Sequence, residues 1–379
     1  MQLYNYRKKR KRKIHSFDTG YYRYPRKRTK SYHSKRKRGA QKKFFRILGV
    51  VACVLVVLVA AGAGTYTYLR SAGRKSLMEA ANSQAPDMGD HQDESGLVSR
   101  NGKKYKYNDE MITILCMGID RDTALEEEGA SGENGQADTI FLLALDPSEK
   151  NIKMLGISRD TMTAIRTYDH QGNYVGETVN HLGLAFSYGD GQQSSGELMT
   201  DAVSNLLYEL PIHGYAAVNM NAIEKLNDSV DGVAVTLAED MKLAGSDFKK
   251  GERVRLTGEQ AESYVRYRDM DKEGSNSLRM QRQKQYALSF MNEAKSAIRR
   301  DVMLVVDLYQ NLTEDMSTSI KVDEAVYLAS MLPDMSFDME DIRMLEGDTK
   351  QGAVYEEFYA DEEALLNTVL EIFYTEVGE

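Results

Sequence analysis

Arg266, Arg268, Arg279 and Arg282, in the segments YVRYR and LRMQRQ, place four guanidinium groups within 17 residues of an otherwise acidic region, and Gln283 follows directly. A planar fork that stays charged at any working pH grips phosphate oxygens two at a time, so such a cluster calls for an anionic partner. Upstream, Asp120 in CMGID and Asp138 in QADTIFLLALD stand at the ends of strand-like runs. Carboxylates there are hard oxygen ligands of the kind Mg²⁺ (or Mn²⁺) prefers, and Mg²⁺ needs only one or two of them beside water and substrate phosphate. Arg159, in GISRDT, follows the next run. Together these residues read as a metal-assisted diphosphate site. Plainer readings stand beside this one. Aspartates at strand ends often serve turns, Arg159 can pair with its neighbour Asp160, and the arginine row can form a solvated salt-bridge face with Asp269, Asp271 and Glu273.

The elements that must position these groups alternate. Residues 111–119 (MITILCMGI), 139–146 (TIFLLALD) and 152–158 (IKMLGIS) have strand character, and DPSEKN between the last two predicts an antiparallel hairpin. Leu198, Val203, Leu206, Leu207 and Leu210 recur at helical spacing over 195–210, 214–220 resumes as a strand, 221–230 is helical, and 233–238 is again a strand. Thr257 stands three residues before Gln260, a capping box that opens a helix ending at Arg266 and Arg268. A second helix, from about 277 to 300, lays Arg279, Arg282 and Gln283 on one face by their i, i+3, i+4 spacing. The fold class expected is mixed α/β (α+β): a central, mostly antiparallel or mixed sheet flanked by helices. Residues 301–379 are expected to form a helical extension of the same domain.

Charge divides the chain. Residues 1–46 hold 19 Lys/Arg against Asp18 alone, a net +18, while the remainder holds 30 basic and 56 acidic residues, a net −26. Residues 47–69 form an uncharged run of 23, long enough as a helix to cross a bilayer. They are expected to be one transmembrane helix preceding the folded region. The basic excess before it places the N-terminus in the cytoplasm and everything after Arg70 outside the cell membrane. The tail, poor in aliphatic residues, is expected to be disordered and to meet anionic membrane lipid, with nucleic acid the less favoured partner. Residues 70–108 are polar and read as a stalk, so that folding begins near 109.

Other chemistries find little footing. The six histidines show no HExxH or paired spacing, the two cysteines, Cys53 and Cys116, lack metal-ligand spacing, and neither a GxSxG nor a GxxxxGK[ST] segment occurs.

In order and spacing, MGID, QADTIFLLALDPSEKNIKMLGISRDT, the Asn180-His181 pair, NMNAIEKLNDSVDGVAV, LTGEQAESYVRYRD and LRMQRQ resemble the LytR-CpsA-Psr (LCP) family over about residues 109–300. The resemblance implies a membrane-anchored phosphotransferase of the Gram-positive envelope. Such an enzyme moves a glycopolymer, of teichoic acid or capsular polysaccharide type, from a polyprenyl diphosphate carrier to peptidoglycan. It implies a hydrophobic channel for the prenyl chain, metal binding by Asp120 and Asp138, and a diphosphate held by Arg159, Arg266, Arg268, Arg279 and Gln283, with Arg282 a weaker candidate for the same grip or else a residue that orients its neighbours. Asp120, Asp138, Arg159 and Arg268 would then carry the catalysis, one of the aspartates as base. A prenyl diphosphate hydrolase, a non-catalytic lipid- or polymer-binding protein, and a transcriptional attenuator acting through the basic tail are the alternatives. Asn276 stands where many relatives carry Asp; Gln136 and Thr163 stand where many carry arginine, and the loss of those two cations should weaken the grip on a diphosphate.

Overall fold

The computed structural model describes residues 63–80, 85–121, 125, 131–132, 134–267, 275–302 and 304–378. The chain divides into two compact units, 1–60 and 61–379. The first lies outside the described residues, and with it the basic tail and most of the expected membrane span.

In chain order the second unit begins with helix α1 (Ala63–Ala80), strands β1 (Val98–Arg100) and β2 (Lys103–Tyr107), and the sheet strands β3 (Ile112–Ile119), β4 (Ala137–Asp146) and β5 (Asn151–Ile157). A hairpin, β6 (Met162–Tyr168) and β7 (Tyr174–His181), leads through a 3₁₀ segment, Leu182–Tyr188, to α2 (Gln193–Leu206), β8 (Gly214–Val218) and α3 (Asn221–Ser229). Four short strands follow, β9 (Val233–Thr236), β10 (Met241–Leu243), β11 (Ser246–Phe248) and β12 (Arg253–Leu256). Three helices come next, the short α4 (Gly258–Arg266), the long α5 (Ser275–Arg300) and the short α6 (Leu304–Asn311). The last part holds β13 (Met316–Thr318), α7 (Val322–Met331), β14 (Ile342–Met344), the hairpin β15 (Gly347–Gln351) and β16 (Glu356–Ala360), α8 (Glu362–Phe373) and β17 (Tyr374–Val377).

Six strands form the central sheet in the order β13-β8-β3-β4-β5-β14. It is mixed: β3 with β8 and β5 with β14 are parallel, the other neighbours antiparallel. Strands buried on both faces need continuous apolar runs, and MITILCMGI and TIFLLALD supply them. On one face Leu115, Met117, Ile140, Leu142 and Leu155 pack with α2 and α8 through Met199, Val203, Val369 and Phe373. On the other, Ile112, Ile114, Leu145 and Ile152 pack with α1, α5 and α7 through Leu77, Leu288 and Tyr327. A third core joins β9–β12 to α4 and to the far side of α5 through Val233, Leu256, Tyr264 and Phe290.

Two expectations need correction. The polar segment 70–108 is no stalk. Leu77 of α1 is fully buried, Ser76 Oγ donates to Glu324 of α7 at 2.5 Å, and β2 pairs with the C-terminal strand β17. Its sparse apolar residues, Leu77, Met88 and Val98, all reach the cores, which composition averaged over the segment conceals. Nor is 301–379 only a helical extension. It supplies β13 and β14, the two edge strands of the sheet, each just three residues long. Strands so short leave no readable alternation.

Candidate active site

Three of the expected site residues come together where β3 and β5 end and β4 begins. Asp120 follows β3, its N–H donating to the Gln136 carbonyl at 3.0 Å, and is exposed. Asp138 is the second residue of β4, and Arg159 lies in the turn after β5. The antiparallel hairpin that sets Ile140 opposite Ile157 brings the latter two together. Arg159 donates from Nη1 to Asp138 Oδ1, and its Nε is 3.6 Å from Asp160 Oδ1. Burial, the strongest single influence on the Arg159 guanidinium, works against its charge. The hydrogen bond it donates to Asp138 and the charges of Asp138, Asp160 and Asp120 outweigh it and raise its pKa. The plain pairing with Asp160 and the cross-strand contact with Asp138 thus coexist.

The 3₁₀ segment closes the cluster from behind. Gly183 N–H donates to the Arg159 carbonyl at 2.9 Å, and a Cβ at Gly183 would lie 2.8 Å from the Ala137 carbonyl oxygen and 3.1 Å from Arg159 Cβ. Only glycine lets this segment approach so closely. His181, at the end of β7, puts Nδ1 3.5 Å from Asp160 Oδ1. Asn180 Oδ1 accepts the His181 N–H at 2.9 Å.

The arginine row belongs to α4 and α5. Thr257 Oγ1 accepts the Gln260 N–H and Gln260 Oε1 accepts the Thr257 N–H, so the capping box forms as expected. Arg266 ends α4 with Nη1 2.7 Å from Glu262 Oε1. Arg279 and Gln283 are half-buried on α5, and Gln283 Nε2 donates to the Val265 carbonyl at 3.4 Å. Arg282 differs. It is 3 % exposed, donates to Glu239 Oε1 at 2.7 Å and to the Tyr267 carbonyl, and lies 5.2 Å over the Tyr267 ring. A guanidinium so engaged is a staple between α5 and the end of α4, so the expectation that it holds diphosphate gives way to the orienting role. Arg268 and the 269–274 segment lie outside the described residues, as does the Asn276 side chain.

Sequence reasoning passed over two groups. Arg121, next to Asp120, lies beside Gly191, where an added Cβ would meet its Nη1 at 3.1 Å and Asn134 Oδ1 at 3.2 Å. The Asp160–His181 pair joins the turn after β5 to the end of β7, 21 residues on. Its only signal in the sequence is the Asn-His dipeptide. Two cavities of about 460 and 480 Å³ flank α2, and neither is lined by Asp120, Asp138 or Arg159. With Asp120 exposed and the Arg159 and Asp138 side chains partly so, the charged cluster is an open ledge on the rim of the sheet where its central strands end.

Among the described residues no group of three or more His, Cys, Asp or Glu is arranged to hold a metal. Two carboxylates at an open ledge fit a cation that arrives with a phosphate substrate, because Mg²⁺ keeps water and phosphate in its other positions.

Known proteins resemble this chain in sequence and fold. TagU of Halalkalibacterium halodurans, named as a polyisoprenyl-teichoic acid–peptidoglycan teichoic acid transferase, is 28% identical over 244 residues, 64% of this chain and 72% of that protein. The enzyme of the same name from Oceanobacillus iheyensis is 30% identical over 192 residues, 51% of this chain, and the match spans 54% of its length. The crystal structure of B. subtilis TagV shares the fold with a TM-score of 0.54 at 24% identity, over 69% of this chain and 96% of that one. The LytR_cpsA_psr family matches residues 71–370, well beyond the 109–300 in which the motifs lie, and the chain belongs to that family.

Proposed function

We propose that the protein is a phosphotransferase that moves a glycopolymer of teichoic acid type from a polyprenyl diphosphate carrier to peptidoglycan. The observation that carries this reading is the Asp138–Arg159–Asp160 arrangement at the sheet edge with Asp120 beside it, in a family whose relatives are named for that transfer. Phosphoryl transfer asks a protein mainly for positioning and charge neutralisation. Arg159 offers a guanidinium held in place by two carboxylates and a glycine-tight turn, available to a diphosphate on its half-exposed side. Arg266, Arg268, Arg279 and Gln283 would hold the remaining phosphate oxygens. Mg²⁺ held by Asp120 and Asp138 together with the diphosphate would neutralise further charge. An acceptor hydroxyl attacks the phosphorus bearing the glycosyl group, one of these aspartates takes its proton, and the bridging P–O bond breaks to release polyprenyl phosphate.

The prenyl chain has a fitting place. Ala287, Leu288 and Met291 of α5 and Cys116, Phe141 and Leu143 of the sheet pack against the same core, all apolar and all only partly buried. Residues 283–291 of α5 keep partial exposure without a break. Burial nevertheless pushes the Cys116 thiol up to about 12. A side chain enclosed by protein yet still accessible lines a seam that is not closed, and this one is apolar.

Among the described residues no helix is long and apolar enough to cross a membrane. The uncharged run 47–69 lies largely outside them, and α1 takes up its last seven residues. We read that run as the anchor, with the basic tail on the cytoplasmic side against anionic lipid and the folded unit outside.

The test is transfer from a polyprenyl diphosphate-linked polymer to peptidoglycan by the full chain in detergent with Mg²⁺. Asp138→Ala is expected to lower it at least about a hundredfold. Unchanged transfer would overturn the reading, and prenyl phosphate release with no polymer product would replace it with hydrolysis.

A further inference from the structure

Among the described residues, six of the eight strongly exposed large apolar side chains fall on two adjacent hairpins: Tyr174, Val175 and Val179 of β7, and Val354, Tyr355 and Tyr359 of β15–β16. Tyr355 is 71 % exposed and Val179 66 %. Single exposed apolar residues need no explanation, but their gathering on one surface does. The hairpins are joined to each other and to the site. The Phe358 N–H donates to the Asp160 carbonyl at 2.9 Å, Thr161 bridges Phe358, and the Tyr355 ring meets the His181 ring edge-on at 6.3 Å. A short path from Tyr355 to Arg159 therefore runs through His181 and Asp160.

Which face of the sheet the hairpins belong to decides what they can serve. Ile165 of β6 and Phe358 of β16 pack into the core shared with α2 and α8. The apolar seam along α5 lies on the opposite face. The charged ledge sits at the edge between the two. A lipid-linked donor laid along α5 would therefore meet the ledge from one side, leaving the hairpin side for the acceptor. The hairpins carry Asp169, Glu177, Asp348, Glu356 and Glu357 against Arg166 and Lys350, and Lys350 is drawn over the Tyr359 ring at 4.7 Å. A surface with this balance repels anionic lipid and polyanionic polymer alike. Exposed tyrosines, apolar on their faces and hydrogen-bonding at their tips, suit an uncharged polyhydroxylated chain.

We propose that the two hairpins form the acceptor subsite, a platform on which Tyr355 and Tyr174 stack an N-acetylated glycan strand and lead its hydroxyl to the Asp138–Arg159 ledge. This rests on the transferase reading, but its binding half can be measured alone.

The full chain in detergent is assayed for transfer, and separately for binding to a β-1,4-linked N-acetylglucosamine hexamer, with Tyr355→Ala, Tyr174→Ala and Tyr355→Phe. Both alanine variants should raise the KM for acceptor about tenfold, leave kcat and the KM for donor within about twofold, and weaken hexamer binding to match. Tyr355→Phe, which keeps the ring, should restore both. If no variant transfers polymer but the hexamer binds and Tyr355→Ala abolishes it, the platform stands and the transferase reading falls. An unchanged acceptor KM and unchanged hexamer binding in a folded variant overturns the platform while leaving the transferase intact. So does a variant whose loss is instead of binding to phosphatidylglycerol vesicles, or of self-association.

Discussion

At the sheet edge Arg159 is half exposed and shared between Asp138 and Asp160, whereas in the α4–α5 row Arg282 is buried, tied to Glu239 and to the backbone at Tyr267. Both are arginines beside carboxylates, and only their access to solvent separates them. An exposed guanidinium exchanges partners with little loss, because water compensates. A buried one cannot, because releasing its carboxylate strands a charge in a poorly solvated place. The first arrangement suits a residue that must accept a substrate anion, the second a residue that holds two helices in register. Clustering of arginines in the chain therefore says little about which of them bind.

The comparison can be broken first at its structural end. Arg282→Ala should destabilise the folded unit by about 3 kcal/mol, measured by chemical denaturation, since it leaves Glu239 without its buried partner. Loss of transfer with unchanged stability would instead make Arg282 a ligand. The frame that carries the sheet-edge cluster offers a test of similar size. His213 Nδ1 accepts the Thr113 N–H at 3.1 Å where the loop before β8 meets the start of β3, and burial pushes its imidazole down to about 4. The neutral ring is thus favoured by folding. Its contribution is complete above the ordinary value of 6.5 and fades as pH falls from there toward 4, by up to about 3 kcal/mol. Urea unfolding between pH 7 and 4 should lose stability more steeply in the native chain than in His213→Asn, and parallel slopes would remove His213 from the account. The smallest effect belongs to the helix that presents Arg266. Thr257→Ala removes the capping box and should cost about 1 kcal/mol, with transfer by the still-folded protein nearly unchanged. A collapse of transfer without loss of stability would show that the row is more sensitive to its setting than the sheet edge.

Much of the architecture was legible because long periodic runs decide it. The β4–β5 hairpin and the capped α4 lie where the apolar runs and Thr257-Gln260 put them, whereas α2, expected over 195–210, ends four residues early at Leu206. What escaped depended on partners far away in the chain. β2 reads as a polar stalk until β17, some 270 residues later, pairs with it. The three-residue edge strands β13 and β14 carry no pattern of their own. In the site, Asp138 and Arg159 could be joined from sequence because a hairpin does so locally. His181 could not be linked to Asp160, nor Tyr355 to His181, since only tertiary packing makes those contacts. Arg282 and Arg279 are indistinguishable by spacing, and only the position of Glu239 tells the staple apart.

The most direct test of the central claim is transfer from a polyprenyl diphosphate-linked polymer by the full chain carrying Arg159→Ala, with its unfolding midpoint measured on the same preparation. The account predicts stability within about 1 kcal/mol of the native chain, because the pair is half exposed, and a fall in kcat/KM of about a thousandfold. Transfer within about twofold of the native rate in that folded variant would contradict it.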